Sequence, residues 1–337
     1  MISAVPGRRP SWAEGLLAGV DIGGTTTQVV LCDPELNVLE RIGTPTPAAA
    51  GGPAMLRAVQ DALGALLHRR AQSRARSGSP RPERLLAVGV GAAGVVDPVA
   101  GRVLVASDSF DSTWSGFPVA AELTAAMGVP AFLDNDVNAF LRGEATRGAA
   151  AGEPDVLGMT LGTGVGGALW VGGELYEGPH AAAGEIGHLP GFGELPCTCG
   201  GRGHLETLAS GRSLAARYAE RTGRRVGAEE VATAAEGGDR EARAVLAAAG
   251  RGIARAVLIT AGLLDITTVV IGGGVARAWH LLHPEIAAAL ADEPPVSGHP
   301  VRLLRSSLGE DAVAVGAAAR ARAELAAARR LPDSGTG

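Results

Sequence analysis

The chain has 337 residues and a formal charge of −5, and all 30 of its Lys and Arg residues are arginine. A Walker A phosphate loop, pyridoxal phosphate chemistry and a Schiff-base aldolase each need a lysine amine, so these three classes are excluded. The length suggests about two domains of roughly 100–200 residues each. The acidic balance offers no overall attraction to nucleic acid or anionic lipid.

The cysteine content and the N-terminus indicate the compartment. Cys32, Cys197 and Cys199 are too few for a disulfide framework, and we expect Cys32 to be an inert buried thiol. Residues 1–15 lack the apolar core of a secretory signal, so we expect a short, loose leader. No uninterrupted apolar run of about 18 residues predicts a membrane span. We therefore expect a cytoplasmic protein that acts on small molecules, with no nucleic-acid or membrane partner.

The first half of the chain predicts strands that alternate with helices. Apolar runs at 17–20 and 28–32 flank a glycine turn, so a β-hairpin opens the first domain. Residues 71–84 are basic and rich in turn formers, which predicts a solvated loop or, alternatively, a phosphate-binding patch. Strands are further predicted over 85–90 and 129–133, and helices over 54–69, 117–127 and 137–147.

The second half begins with the same strand, glycine turn and strand. Strands are predicted over 156–160 and 168–171, separated by the glycine-rich residues 162–167. Helices over 228–236, 239–262 and 276–291 surround a strand at 267–271, a helix over 309–328 closes the chain, and 331–337 is expected to fray. The alternation of strands and helices predicts the α/β class.

The first glycine turn has the sequence Asp21-Ile-Gly-Gly-Thr25. Gly23 and Gly24 let backbone N–H groups approach a phosphate, and Thr25 and Thr26 add hydroxyl donors. Asp21, at the end of a strand, can hold a hydrated Mg²⁺. Alone, the motif also fits a purely structural turn.

A second turn and a third glycine motif change that interpretation. The segments DIGGT, LGTGVGG and IGGGVA resemble the two phosphate motifs and the adenosine motif of the actin/hexokinase/Hsp70 ATPase superfamily. This resemblance implies a two-domain, ribonuclease H-like α/β fold with an ATP and sugar cleft between the domains, and ATP held by backbone N–H groups and Mg²⁺. It implies nucleotide contacts at Asp21, Gly23, Gly24, Thr25, Thr26, Gly162, Thr163, Gly164, Gly166, Gly272, Gly273 and Gly274.

A further group of motifs narrows the family. The segments GEIGH at 184–188 and CTCGGRGHLE at 197–206, followed by Ser210-Gly211, resemble the motifs of the ROK family of sugar kinases and sugar-responsive repressors. The resemblance covers residues 17 to 325. It implies a small domain of 16–135 with 312–330, a large domain of 136–311, and a homodimer.

Four residues in these motifs have the chemistry of a zinc site. His188, Cys197, Cys199 and His204 supply two imidazoles and two thiols, the number that a tetrahedral structural Zn²⁺ requires. His204 departs from the family pattern, which has cysteine there, but two cysteines and two histidines are a common zinc set. The alternative is a metal-free loop with adventitious thiols.

The sequence Asp134-Asn-Asp136-Val-Asn138 matches the (D/E)NDxN pattern of the family. Taken alone, it also fits a helix cap. A hexose hydroxyl is a poor nucleophile, and a carboxylate within hydrogen-bond reach can accept its proton during phosphoryl transfer. The resemblance places this general base at Asp136.

The resemblance also implies the sugar contacts, which are Gly94, Ser107, Asn135, Asp136, Glu185, His188 and Glu206. Several acceptors suit a polyol, because each buried hydroxyl needs a partner. Residues 91–97 lack the proline of the family pattern, and Ser107–Asp108 lies where an asparagine is common. Both departures touch the predicted sugar pocket.

We therefore expect an ATP-dependent kinase that phosphorylates the 6-hydroxyl of a hexose, with glucose as the first candidate. N-acetylmannosamine, N-acetylglucosamine, fructose or allose kinases are the alternatives within the kinase class, and a non-enzymatic sugar-sensing repressor of the same family is the alternative outside that class. The repressor is disfavoured because only 20 residues precede Asp21, too few for a DNA-binding domain, and because the chain lacks a basic footprint.

Overall fold

The computed structural model describes residues 15–78, 83–106 and 110–330. The predicted leader up to residue 14, the predicted tail 331–337 and Ser107 lie outside the described residues, whereas Gly15 begins the first strand. The chain divides into two compact units. One comprises the residues up to Asp136 together with those from Val313, and the other comprises Val137–Ala312.

The first unit contains seven described strands and three helices. These are β1 (Gly15–Ile22), β2 (Thr26–Cys32), β3 (Val38–Pro45), α1 (Gly52–Arg76), β4 (Arg84–Ala92), β5 (Gly94–Asp97), β6 (Arg102–Ala106), α2 (Val119–Met127), β7 (Ala131–Asn135) and α9 (Ala312–Arg330). The last of these helices begins at Ala312, one residue before the unit resumes at Val313.

The second unit contains the remaining described elements. These are α3 (Asp136–Arg147), β8 (Val156–Leu161), β9 (Val165–Val171), β10 (Glu174–Tyr176), α4 (Glu206–Ala209), α5 (Gly211–Thr222), α6 (Ala228–Glu236), α7 (Arg240–Leu264), β11 (Thr268–Gly272), α8 (Trp279–Asp292) and β12 (Arg302–Arg305).

Each unit is built on a five-stranded sheet of the same topology. The strand orders are β3-β2-β1-β4-β7 and β10-β9-β8-β11-β12. In each sheet the first three strands in the chain form an antiparallel meander. The fourth strand pairs in parallel with the strand that opens the meander, and the fifth pairs in parallel with the fourth. The predicted opening hairpins of both halves, β1–β2 and β8–β9, are confirmed.

The core of the first unit lies between its sheet and α1. Val20 of β1, Val88 of β4 and Val59 of α1 are fully buried members of one apolar cluster. Because side chains alternate along a strand, the residues next to Val20 and Val88 in their strands face the opposite side of the sheet. There, a Cβ at Gly19 or Gly89 would overlap the carbonyl oxygen of Ala314 or Ala317. Helix α9 therefore covers this second face, and its close approach depends on the two glycines.

The core of the second unit lies between its sheet and helices α4–α8. Leu157, Met159 and Ile271 from the sheet pack with Val257 of α7 in one buried cluster. Helix α7 is the one described helix that could cross a membrane by length and apolar composition, and 56% of its most apolar window is buried. Its apolar composition is that of a core helix.

Three predicted boundaries are wrong. The loop predicted over 71–84 is helical as far as Arg76, because Ala and Arg favour a helix and Glu83 pairs with Arg70 and Arg74 at 2.7 and 3.1 Å. The strand predicted at 129–133 occupies Ala131–Asn135, since Pro130 precedes it. The strand predicted at 168–171 begins at Val165, as the ladder with β8 continues through Gly166 and Gly167.

Candidate active site

The carboxyl ends of three parallel strands bring the predicted acidic residues together in the first unit. Asp21 of β1 is in register with Gly91 of β4, and Gly91 with Asp134 of β7. Asp136 follows as the first residue of α3. Burial and the charge of Asp136 raise the pKa of Asp21 to about 7. Two predicted functional carboxylates thus lie close enough to influence each other's ionisation.

The first glycine turn is closed by its own hydrogen bonds and exposes its two threonines. The N–H of Gly23 donates to the carbonyl of Thr26 at 3.1 Å, and the carbonyl of Thr25 accepts from the N–H of Thr46 at 2.9 Å. Gly23 and Gly24 are half-buried, whereas Thr25 and Thr26 are exposed. A Cβ at Gly23 would lie 2.8 Å from the Thr26 carbonyl oxygen, so this tight turn requires glycine.

The predicted sugar contacts of the first unit lie on β7 and the β5–β6 hairpin. The amide of Asn135 donates to the carbonyl of Gly94 at 3.0 Å. Gly94 has a φ of 109°, a conformation that favours glycine. Asn135 and Asp136 are both half-exposed. The structure therefore joins Gly94 directly to the Asp-Asn-Asp sequence.

In the second unit, the turn after β8, the glycine run after β11 and Gly211 meet at the ends of these two strands. The N–H of Gly162 donates to the carbonyl of Gly164 at 2.9 Å, and the carbonyl of Gly162 accepts from Gly211 at 2.8 Å. Gly273 has a φ of 88°, and a Cβ there would lie 2.5 Å from the Leu161 carbonyl oxygen.

The other predicted nucleotide contacts lie beside this junction. Thr163 is exposed, and Gly272 ends β11 in register with Thr160. Gly166 packs against the Val137 side chain, and a Cβ at Gly274 would meet no atom within 4 Å. The glycine residues predicted to bind phosphate and adenosine in this unit thus form one group.

The GEIGH segment packs on the strand that follows the second turn. A Cβ at Gly187 would overlap the carbonyl of Val165, and Gly184 lies against Ala168 with a φ of 87°. Glu206, at the start of α4, accepts from the N–H of Val165 at 3.0 Å and from the hydroxyl of Thr198 at 3.1 Å. Glu185 is exposed, and His188 and Glu206 are half-buried. The second unit thus groups the turn with these three predicted sugar ligands.

The four predicted metal ligands form a compact cluster. The ligand atoms of His188, Cys197, Cys199 and His204 all lie within 4.8 Å of one another. The Sγ of Cys197 is 3.8 Å from the Nδ1 of His188, and the Sγ of Cys199 is 3.2 Å from the Nδ1 of His204. Ligand atoms around a tetrahedral Zn²⁺ lie roughly 3.3–3.8 Å apart, so this donor set fits the ion with small side-chain adjustments.

The backbone of the loop brings these ligands together. The N–H of Cys197 donates to the carbonyl of Gly201 at 2.9 Å, and that of Gly203 donates to Leu195 at 2.8 Å. Gly200 and Gly203 have φ values of 88° and 62°. Burial raises the pKa of the Cys197 thiol, and binding a metal requires its proton to leave.

Comparison with known proteins identifies the family. The model of the ROK family matches residues 17–324. The chain belongs to the ROK family. A glucokinase of Halalkalibacterium halodurans is 30% identical over 317 residues, which cover 88% of this chain and 92% of the relative. An N-acetyl-D-glucosamine kinase of Citrobacter koseri is 32% identical over 289 residues, covering 82% and 88% of the two chains.

A solved structure gives the same result for the fold. The ROK family glucokinase from Streptomyces griseus, in complex with glucose and AMPPNP, matches with a TM-score of 0.74 and 30% identity over 92% of this chain and 100% of that chain. This ROK-family chain is therefore a sugar kinase with the two-domain, actin-like α/β fold, and both of these predictions are confirmed.

Two contacts in this ROK-family chain were missing from the sequence analysis. Thr198 lies between the two cysteines and contacts Glu206, a role that its position in the loop could have suggested. Arg320, on the closing helix, contacts Asp134 at 3.3 Å. No motif marks Arg320, since it is one of 30 arginines and lies far from Asp134 along the chain.

Proposed function

We propose that this chain transfers the γ-phosphoryl group of Mg·ATP to the 6-hydroxyl of a hexose, with D-glucose as the first substrate. The observation that carries the proposal is the position of Asp136. This residue begins α3 at the carboxyl ends of the parallel strands, where Asp21 also lies. This half-exposed carboxylate is close to a second acidic group suited to a metal ion. Acceptance of a hydroxyl proton next to a metal-bound phosphate needs that combination.

In the proposed reaction, Asp136 acts as the general base. The 6-oxygen of the sugar forms a bond to the γ-phosphorus, and the bond from that phosphorus to the β–γ bridging oxygen breaks. The hydroxyl proton passes to the carboxylate of Asp136, and ADP leaves with the bridging oxygen. Asn135 and Gly94, joined by a hydrogen bond, contact the sugar beside the base.

The nucleotide is held, in this proposal, without any lysine. The N–H groups of Gly23 and Gly162 already donate within their turns, so the other backbone N–H groups of these two turns and the hydroxyls of Thr25, Thr26 and Thr163 would donate to phosphate oxygens. Asp21 would hold Mg²⁺, directly or through water, and the ion bound with ATP would supply positive charge that offsets the phosphates. The adenosine is assigned to Gly272, Gly273 and Gly274, of which Gly274 has open space where a Cβ would lie, and Gly166 packs against Val137 beside the second turn.

The remaining sugar hydroxyls are assigned to Ser107, Glu185, His188 and Glu206. The contact of Glu206 with the N–H of Val165, next to the second turn, supports its place in this set. We also assign a structural Zn²⁺ to His188, Cys197, Cys199 and His204. When bound, zinc would hold the loop that presents His188 and Thr198, without acting on the phosphate.

A second candidate substrate is an N-acetylhexosamine. The N-acetyl-D-glucosamine kinase of Citrobacter koseri is 32% identical to this chain over 289 residues, and the Halalkalibacterium halodurans glucokinase is 30% identical over 317 residues. The predicted sugar segment, residues 91–97, reads GAAGVVD without the proline of the family pattern. Pocket contacts that leave a polar group unpaired discriminate most strongly between such sugars. A homodimer remains part of the proposal.

The test is a sugar panel. Purified protein is given ATP or polyphosphate with glucose, mannose, fructose, allose, N-acetylglucosamine and N-acetylmannosamine, and ADP or sugar phosphate is measured. We expect sugar-dependent turnover that is highest with glucose and ATP and falls about 10²–10⁴-fold in Asp136→Asn. Turnover on an N-acetylhexosamine alone would favour the second candidate. Full activity of Asp136→Asn would overturn the role of the base.

A further inference from the structure

We infer that Arg320 is a positioning residue for phosphoryl transfer, because it holds the strand end that carries Asn135 and Asp136. The inference rests on the proposed role of Asp136 as the base. Arg320 lies on α9, and its contact is Asp134, two residues before Asp136. Through this contact, its effect passes to the β7 strand end that carries Asn135 and precedes Asp136.

The contact is a buried ion pair. The Nη1 of Arg320 lies 3.3 Å from the Oδ2 of Asp134, and the two side chains are 10% and 1% exposed. The other carboxylate oxygen of Asp134 accepts from the N–H of Asn135 at 3.0 Å. One carboxylate therefore joins the closing helix to the backbone at the predicted sugar contact.

The same arginine also contacts the β5–β6 hairpin, which carries the predicted sugar contact Gly94. The Nη2 of Arg320 lies 3.5 Å from the carbonyl of Pro98, which follows the end of β5. Gly94, at the start of β5, accepts from the Asn135 amide at 3.0 Å. The guanidinium thus connects β7 and the β5–β6 hairpin at one end, and the Asn135 amide connects them at the other.

The position of Arg320 is set by how α9 lies on the sheet. Gly19 and Gly89 are paired partners on β1 and β4, and each would clash with the α9 backbone if it carried a Cβ. The α9 backbone therefore contacts the sheet directly at Ala314 and Ala317, which precede Arg320 in the helix. A rigid planar guanidinium on such a support places its charge reproducibly, which a flexible lysine would not do.

This arrangement serves geometry more than stability. Replacing a buried ion pair by well-packed apolar groups is often neutral for folding, whereas removing one partner leaves a costly unpaired charge. A base must lie within hydrogen-bond reach of the hydroxyl, and a misplacement of about 1 Å can cost 10²-fold in rate. The ion pair is thus expected to affect turnover even in a variant in which uncharged side chains restore the stability.

The experiment compares Arg320→Lys and Asp134→Asn with the double variant Asp134→Asn/Arg320→Met. Tm, kcat, and the KM values for the sugar and ATP are measured on full-length protein, with assays well below each Tm. We expect kcat/KM for the sugar to fall about 10- to 100-fold in all three variants, with KM for ATP within about twofold. The double variant removes the unpaired charge, so its Tm should lie closer to that of the parent protein than the Tm of Asp134→Asn does.

Two controls come from the same helix. Arg322→Lys alters an arginine that donates to the carbonyl of Pro34, and Glu324→Gln alters the other acidic neighbour of Arg320, at 3.7 Å. Both should keep kcat/KM within about twofold. If the double variant regains kcat together with Tm, the pair is only structural and the inference is overturned. Asp136→Asn separates the two hypotheses, since its full activity would overturn the proposed base whatever Arg320 does.

Discussion

In both units, a buried charged side chain on a long helix contacts the end of the edge parallel strand. In the second unit this is Glu144 of α3, whose carboxylate contacts the segment after β12. In the first unit it is Arg320 of α9, which contacts Asp134 on β7. Counted from Asp136 and from Ala312, each is the ninth residue of its helix. The two sheets share their topology and also the position of this contact.

The chemistry of the two contacts is different. Glu144 accepts from the hydroxyl of Ser306 at 2.6 Å and from the N–H groups of Leu308 and Ala149 at 3.1 and 2.7 Å. All of its partners are neutral donors, so the contact only fastens a loop. Arg320 instead meets a carboxylate inside the Asp-Asn-Asp sequence. The same place in the fold is structural in one unit and adjoins the proposed reaction in the other.

The glycines beneath these helices differ as well. Gly19 and Gly158 each lie three residues before the end of the first strand of their hairpins. A Cβ at Gly19 would overlap the backbone of α9, whereas one at Gly158 would lie 3.0 Å from the side chain of Leu141. A side chain can move where a backbone cannot, so the first unit holds its helix under the stricter constraint.

The largest expected effect on stability is at Glu144. Glu144→Ala removes the acceptor of several buried donors at once, and we expect the free energy of unfolding to fall by roughly 3–5 kcal/mol. Urea denaturation measures the loss. Glu144→Gln, which keeps one acceptor oxygen, should lose less. A cost below about 1 kcal/mol for the alanine variant would mean that the contact does not fasten the loop.

Metal removal should affect stability through the second unit, where the four proposed zinc ligands lie. Stripping zinc with a chelator is expected to lower the unfolding free energy by about 2–3 kcal/mol when free zinc had been near 100 times its Kd. Metal content and Tm are measured together. Cys197→Ala should lose the ion, and Cys32→Ala, a buried thiol outside the cluster, should keep it. Unchanged metal content in Cys197→Ala would contradict the assignment.

The glycine difference is tested by adding a single methyl group. Gly89→Ala forces the Cβ into the α9 backbone, and we expect a loss of about 1–3 kcal/mol from overpacking. Gly158→Ala, which meets only the Leu141 side chain, is the matched control and should cost less. Thermal or urea unfolding of the two variants decides the matter. Equal costs would show that α9 is no more constrained than α3.

The last prediction concerns Asp21, whose counterpart in β8 is Thr160, one residue before the strand end. The pKa of Asp21, raised to about 7, means that the native state keeps a proton which the unfolded chain releases near pH 4. Without metal, this group destabilises the fold increasingly as pH rises from about 4 to 7.

Asp21→Asn should therefore stabilise the metal-free protein clearly at pH 8 and hardly at pH 4, as measured by Tm at both values. The same variant should lose Mg²⁺-dependent turnover. In the parent protein, turnover limited by ionised Asp21 should rise through pH 7. Thr160→Val is the matched control and should show no such pH dependence. A stabilisation that is equal at both pH values would contradict the assigned pKa.

Local patterns in the sequence are sufficient to predict most elements of this fold. Alternating and continuous apolar runs mark β1, β2 and β8, and the glycine motifs mark where those strands turn. The four side chains predicted to bind zinc were chosen by the type and number of their ligand atoms, because zinc needs a fixed number of sulfur and nitrogen ligands. Their ligand atoms do lie together, within 4.8 Å.

The boundaries that failed were decided by contacts beyond the local pattern. Helix α1 extends through residues predicted as a loop, because its last turn is paired with Glu83, which follows in the chain. Short strands such as β10 and β12 have three and four residues and acquire their register from β9 and β11. So few residues carry no reliable periodicity.

The sequence by itself determined the family, the sugar kinase chemistry and the identity of the residues proposed for it, because motifs that bind phosphate and metal depend on residue types at fixed spacing. Only the tertiary structure decided that Asp134 meets Arg320, that Glu206 joins the second turn to Thr198, and that Gly89 must be glycine. These contacts join residues that are distant along the chain, and their energies depend on burial and close approach, which a linear pattern does not encode.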